Sequence, residues 1–533
     1  MNISKNLRDN KFLLVIFSLA LFLFVLFFQK NFNGFLSFSD AAKFAGIARS
    51  VVRGNGYTSN FSFFNSEVLG ISGFSPVSSW ILPLMPLAIA GFFRIFGVSD
   101  LSVIATSSLF FILLVVTSYL LGKKLWGEIV GVLSAVVVAA NVNFLEYATS
   151  GASETLFALE IVLASYLFIF KKKNTNLIGF VVLIIMYLTR PQAIIYIFGL
   201  VFLYLLLNFP VKKALKYVFV IFILGSGLYL AISEQGLFAV TQHLPGIAPS
   251  DALRGGVQEV NIIELIKKTF YNLYNFYRLL PQIASPYMWG LFVIGFFHWT
   301  KNKEENALKL ASILMVAVTF LVTALTIPFF RYLHPVVPLV YLFATATLVW
   351  IVEKLARDLR FKIYELRINI SKRKFVNLAS LFLILIFVVG QTLGVIFLDS
   401  RFKAKTVNRG KPPVYVQLAW LLRDNSNSDD VVVTNLDTWG SWYGERKTVW
   451  FPLEPDQLID LKNDFDAIYL TSYLIDDENY YMGEAWREIY LNPKEHANEF
   501  IGENYEFAGE FEVSPEETYE NKPARSILLV RKQ

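Results

Sequence analysis

Six polar side chains stand where an otherwise apolar chain breaks into loops: Asp40, Lys43, Glu154, Arg190, Arg331 and His334. Asp40 and Lys43 lie in "SFSDAAKFAGIARSVVRGNGY", which follows a greasy N-terminal run and is too polar to remain in lipid. Glu154 sits in "ATSGASETLF", and the two arginines sit beside proline in "YLTRPQAII" and "FFRYLHPVVP". Guanidinium groups bind phosphate through charge-assisted, often bidentate bonds. A pair of them at one membrane interface therefore suits a lipid-linked phosphate, and His334, one helical turn beyond Arg331, adds a further donor.

Each residue also has a plainer reading. Ser39 or Asp40 fits a helix N-cap, and for Asp40 taken alone that is the simpler assignment. Glu154 suits the first turn of a helix. The arginines can snorkel to headgroups, and a lone histidine commonly packs as a hydrogen-bonded structural residue. Glu160, deeper in an apolar run, is costly unless paired, and its partner is not legible. Lys43 and the loop "TQHLPGIAPSDALRGG", 241–256, carry no spacing signal. What gives the set weight is its grouping: two carboxylates and several cations around one outer interface.

The elements that must position these groups are membrane spans. The chain has 533 residues, is 55% hydrophobic and holds 50 Phe, which points to an α-helical polytopic membrane protein. Runs long and apolar enough to cross about 30 Å of hydrocarbon fall near 12–28, 101–122, 129–145, 155–170, 174–189, 191–211, 217–233, 282–300, 310–330, 332–352 and 375–398. That makes about eleven transmembrane helices. With a cytoplasmic N-terminus, alternation puts Lys123-Lys124, Lys171 to Lys173, Lys212-Lys213 and the basic 353–374 segment inside. No signal-peptide cleavage pattern follows the first run, so it reads as a retained anchor. The proline-rich stretch 75–97 would upset this charge pattern as a full span, so it reads as an interfacial or re-entrant segment.

Two units follow: a transmembrane domain over 1–398, with a large first outer loop at 29–100, and an extracytoplasmic α/β domain over 399–533. In the latter, "VYVQLAWLLRD" (414–424) reads as a helix, and "DVVVTN" (430–435), "FDAIYLTSY" (465–473) and "ARSILLVRK" (524–532) read as strands. Its aromatic stretch "DTWGSWYGERKTVWF" (437–451) suggests an acceptor-binding surface. Cysteine is absent, which excludes disulfides and thiolate chemistry. The net charge of +6 sits in clusters beside the spans and gives no support to a nucleic-acid partner.

At these residues the chain resembles the integral-membrane glycosyltransferases of the C-type fold, the group of protein O-mannosyltransferases, aminoarabinose transferases and arabinofuranosyltransferases. Five pieces carry the likeness over about 10–350: Asp40 with the turn Gly54-Asn55-Gly56-Tyr57, the "SPVSSWILPLMPL" segment, "ATSGASETLF", "LTRPQA" and "RYLHPVVP". Ala41 and Phe44 depart from the family's pattern, where a second acid and an aromatic hydroxyl are common. The resemblance implies a plasma-membrane enzyme that inverts the anomeric centre as it moves a sugar, hexose or pentose, from a polyprenyl-phosphate donor to a hydroxyl of a protein, lipid or polysaccharide acceptor. Asp40 would be the general base, and Glu154 would position a substrate or help hold a divalent cation, should one be used. Arg190, Arg331, His334 and Lys43 would bind the donor phosphate. No cofactor is required by this reading.

Two other functions compete. A transporter or lipid flippase would use many spans, but it predicts midplane charges and paired repeats, whereas Glu160 is nearly alone and no repeat shows. A non-catalytic assembly or receptor protein would not need carboxylates and arginines gathered at one depth.

Overall fold

A computed structural model describes residues 11–64, 81–232, 262–326, 328–365, 399–402, 410–436, 438–461, 463–473 and 482–532. The first half is helical: α1 (Lys11–Asn31), α2 (Ser39–Val52), α3 (Leu84–Phe96), α4 (Asp100–Trp126), α5 (Glu128–Ala139), α6 (Val142–Ser150) and α7 (Glu154–Ile169). It continues through α8 (Lys173–Tyr187), α9 (Ala193–Asn208), α10 (Val211–Ile232), α11 (Ile262–Ile283), α12 (Pro286–Phe297) and α13 (Lys303–Leu325). A 3-10 helix, Phe330–Val336, leads into α14 (Val337–Glu365).

Among the described residues, four helices are long and apolar enough to cross a membrane, and six if each of two bent pairs counts as one span. Not every run read from the sequence forms one long helix among the described residues, for three physical reasons. The run at 129–145 breaks where Asn141 caps α6, its side chain accepting the Phe144 N–H, and the pair α5–α6 bends by 58°. Inside the run at 282–300, α12 begins at Pro286 after a 108° bend from α11. Helices α7, α8 and α9 have 16, 15 and 16 residues, short of the roughly 20 a straight crossing needs. The run at 375–398, the 241–256 loop and residues 75–80 lie outside the described residues; the remainder of the proline-rich stretch forms the 13-residue α3.

Several buried hydroxyls in this body donate to backbone carbonyls, as suits lipid surroundings. Thr106 Oγ1 donates to the Ser102 carbonyl at 2.8 Å, and Ser107 Oγ to the Ala148 carbonyl at 2.7 Å, the latter tying α4 to α6.

Residues 410–532 build helices around a sheet: α15 (Val414–Asp424), β2 (Val431–Thr434), the single turn α16 (Trp439–Trp442), β3 (Lys447–Trp450), β4 (Ala467–Thr471), α17 (Glu484–Leu491), α18 (Glu499–Asn504), β5 (Tyr505–Val513) and β6 (Ala524–Arg531). The strand order is β1-β3-β2-β4-β6-β5. Its edge strand β1 (Phe61–Phe63) comes from the first loop and pairs parallel with β3, Phe61 opposite Thr448. The first loop and the C-terminal segment therefore share one sheet, which the sequence boundaries at 100 and 399 do not convey. Period-two alternation divides the sheet's faces. Ala467 and Tyr469 pack toward α15 and α2, whereas Ile468 and Leu470 pack toward α17.

Helix α2 lies between this sheet and the membrane body. Its alanine stripe, Ala41, Ala42, Ala45 and Ala48, is fully buried in one apolar cluster with Met85, Ile89, Val103, Val416 and Trp439. Its end is set by Gly54, at φ +86°: Asn55 N–H donates to the Ser50 carbonyl and Gly54 N–H to the Val51 carbonyl. That is a Schellman closure, for which a left-handed glycine is favoured.

Candidate functional site

Asp40 is the second residue of α2. Phe38 precedes the helix in extended conformation and makes no side-chain cap, so neither Ser39 nor Asp40 is the N-cap. The Asp40 carboxylate is spent on cations instead. Arg331 Nη1 donates to Oδ2 at 2.7 Å, and Lys43 Nζ, one turn along the helix, lies 3.5 Å from Oδ1. Arg331 reaches Asp40 from the 3-10 helix Phe330–Val336, and the same Nη1 lies 3.9 Å from Glu154 Oε1. Glu154 starts α7 and is 1% exposed; Arg190, between α8 and α9, holds Oε1 at 2.6 Å in a close ion pair. Glu154 Oε2 is buried with no hydrogen-bond partner.

The result is one alternating row: Lys43, Asp40, Arg331, Glu154, Arg190. Three cations face two carboxylates, so the row carries a net charge of +1. Aromatic faces support its cations. Lys43 sits 4.6 Å from the Phe63 ring centroid, Arg331 4.9 Å from Phe38, and Tyr332 lies 5.4 Å from both Arg190 and Arg331. Burial alone would push the Asp40 carboxyl up. The charges of Arg331, Lys43 and Arg190 and the Arg331 hydrogen bond outweigh it and hold the group well below its ordinary value of 3.8.

Gly151 brings the two carboxylates together. It ends α6 in left-handed conformation, φ +80°, and a Cβ there would meet Val103 Cγ1 at 2.7 Å and Ala41 Cβ at 2.9 Å. The turn leading to Glu154 thus touches the residue after Asp40. Gly151→Ala should cost about 2 kcal/mol through backbone strain and overpacking, read as a lowered thermal midpoint in detergent.

Five of the six residues named from sequence meet in this row. His334 does not. It is 2% exposed, its Nδ1 is hydrogen-bonded to Tyr147 Oη at 2.6 Å, and its ring packs against Phe330. Tyr147 and Phe330 pack around it, and its Nε2 is buried without a hydrogen-bond partner among the described residues. Glu160, whose partner was illegible, accepts a 2.7 Å hydrogen bond from Thr189 Oγ1, the residue before Arg190. That contact spans 29 positions and has no local signature. Sequence reasoning also missed Tyr332 and Phe38, whose only signal was their place beside Arg331 and Asp40.

A divalent cation does not fit the row as it stands. Both carboxylates are already held by guanidinium groups with Arg331 between them, and among the described residues no three His, Cys, Asp or Glu side chains cluster as a metal site.

The aromatic stretch 437–451 is likewise engaged. Trp439 and Trp442 are 3% and 6% exposed, and Trp442 Nε1 and Tyr443 Oη both donate to Asp100 at 2.8 Å. These side chains pack onto α2 and α4 and present no open surface to an acceptor.

Residues 75–232 match the family model described as dolichyl-phosphate-mannose-protein mannosyltransferase. Comparison with curated proteins gives no match. Among solved structures, the archaeal oligosaccharyltransferase AglB from Archaeoglobus fulgidus, in complex with an inhibitory peptide and a dolichol-phosphate, superposes with a TM-score of 0.57 at 13% identity, over 97% of this chain and 75% of that one. ArnT from Cupriavidus metallidurans in the apo state is similar at a TM-score of 0.47 and 12% identity, over 88% and 95% of the two chains. The arabinofuranosyltransferase AftD from mycobacteria gives 0.48 and 12%, over 97% and 40%. The shared fold rests on the first of these. The chain thus shares its fold with the archaeal oligosaccharyltransferase AglB, and its residues 75–232 are similar to the mannosyltransferase family model.

Proposed function

We propose that the protein transfers a sugar from a polyprenyl-phosphate donor to an acceptor hydroxyl at the outer face of the membrane, with inversion at the anomeric carbon. The observation that carries this reading is the five-residue charged row. Its net charge of +1 matches the single negative charge of a phosphodiester, and the side chain of Arg331 is 24% exposed.

In this reading the donor phosphate binds Arg331 and Arg190. Asp40 accepts the proton of the acceptor hydroxyl as that oxygen bonds to the anomeric carbon and the bond to the phosphate oxygen breaks. The two guanidinium groups stabilise the charge that develops on the departing polyprenyl phosphate. Arg331 shifts from Asp40 toward the phosphate as the donor arrives, which restores basicity to the carboxylate. Glu154 keeps Arg190 and Arg331 aimed into the site. The N-terminus is cytoplasmic, residues 399–533 lie outside the cell, and the acceptor is a protein, lipid or polysaccharide.

The test is turnover of a panel of polyprenyl-phosphate hexoses and pentoses by purified protein with membrane extract as acceptor source. The expected result is free polyprenyl phosphate and a product of opposite anomeric configuration, resolved by NMR. A product that keeps the donor's configuration contradicts a single displacement.

A further inference from the structure

The segment carrying Asp40 is gripped from both sides by the C-terminal half of the chain. Four residues before Asp40, Leu36 is fully buried and both its backbone groups are taken: its N–H donates to Tyr443 Oη at 2.8 Å, and its carbonyl accepts from Tyr415 Oη at 2.7 Å. Immediately before Asp40, the Ser39 carbonyl accepts from Thr438 Oγ1 at 3.0 Å. Further along α2, Arg49 Nη2 donates to the Ser441 carbonyl at 2.7 Å and Nη1 to the Trp442 carbonyl at 3.0 Å. Its guanidinium also lies 4.6 Å over the Trp442 ring.

The grip is itself held. Tyr443 Oη, which accepts from Leu36, donates to Asp100 at the start of α4. Tyr415 stacks on Trp439 at 4.3 Å between ring centroids. Phe38 supplies no side-chain cap, so beyond the Ala41 and Ala42 N–H bonds to the Phe38 carbonyl the start of α2 is held by the hydrogen bonds with Tyr415, Thr438 and Tyr443.

We propose that Tyr415, Thr438 and Tyr443 are positioning residues for Asp40, so that the C-terminal unit serves the reaction by setting the base and not by binding the acceptor. The inference rests on the transferase reading above. None of the three side chains touches a reacting atom. They act through the backbone of Leu36 and Ser39, and a displacement of about 1 Å at the base is enough to lower turnover by up to about 100-fold.

Two variants test it: Tyr415→Phe/Tyr443→Phe, which removes both hydroxyls and keeps the rings, and Thr438→Val, which keeps the shape. Hydrogen exchange followed over peptides covering 33–45 reads the clamp directly, and kcat and KM are measured for the donor that wild type cleaves in the panel. The double variant should exchange faster at 36–42, lose about 10- to 100-fold in kcat and keep its donor KM and its affinity for polyprenyl phosphate. Thr438→Val should show the same pattern, more weakly. Unchanged exchange at 36–42 overturns the clamp, and faster exchange with unchanged kcat overturns its role in positioning. Equal loss in kcat and thermal midpoint, rescued on cooling, also overturns it, as the signature of a merely structural contact. Wild type that cleaves no donor overturns the transferase reading, while the exchange measurement still judges the clamp by itself.

Discussion

Arg190→Met should lose about 3–5 kcal/mol of stability, because it leaves Glu154 charged and unpaired in a site that is 1% exposed. Arg331, at 3.9 Å, is too far and too committed to Asp40 to replace the lost partner. Pairing the substitution with Glu154→Gln removes the stranded charge, so Arg190→Met/Glu154→Gln should recover most of the loss. Activity should not recover with it, since the donor phosphate has still lost a guanidinium. Thermal unfolding in detergent separates these outcomes. If the double variant is no more stable than the single one, Arg190 is not the partner that makes burial of Glu154 tolerable.

Asp40→Asn should reduce donor turnover by about 10²–10⁴-fold, the range for loss of a positioned general base. Binding of polyprenyl phosphate should persist or tighten, because the substitution removes a negative charge beside Arg331 and Lys43. A merely structural ion pair predicts the reverse: lost stability with proportionate loss of binding. The pH dependence follows from the same contacts. The cations hold the Asp40 carboxyl below 3.8 in the free protein, so the acid limb of kcat/KM should lie below the usual carboxylate range. Arg331→Met removes the largest of these attractions and should move that limb upward, with a loss of about 10²–10³ in kcat. The stability linked to Asp40 is present above its unfolded value and is lost only as pH falls toward the depressed folded one. Asp40→Asn should therefore change stability near neutral pH and have little effect in strong acid.

The charged row was legible because its members interrupt apolar runs, where an ionisable group needs a reason to exist. What could not be read is who pairs with whom: Asp40 and Arg331 are 291 positions apart, and nothing local links them. The helix at 414–424 and the strands at 431, 467 and 524 coincide with runs whose periodicity is strong. Strand β1 was invisible because three residues carry too little pattern and it pairs with a strand nearly 400 positions away. Hydropathy gave no sign of the bends at Asn141 and Pro286 inside apolar stretches, since it registers composition and not direction. Arg49 left a readable trace. It falls four residues after Ala45 on the alanine stripe of α2, and a cation on a buried stripe implies acceptors facing it. Those acceptors, the Ser441 and Trp442 carbonyls, lie in the stretch whose aromatic richness suggested acceptor binding. Trp439, Trp442 and Tyr443 there pack against α2, and Trp450 and Phe451 pack on the other face of the sheet, which composition cannot distinguish from an open surface.

The most direct measurement is release of free polyprenyl phosphate from the donor panel by purified wild type beside Asp40→Asn, in the same detergent and with matched thermal midpoints. A donor-cleaving site at the charged row predicts release by wild type and its loss in the variant. Equal release by both would remove Asp40 as the base and contradict the row as the place where the sugar–phosphate bond is broken.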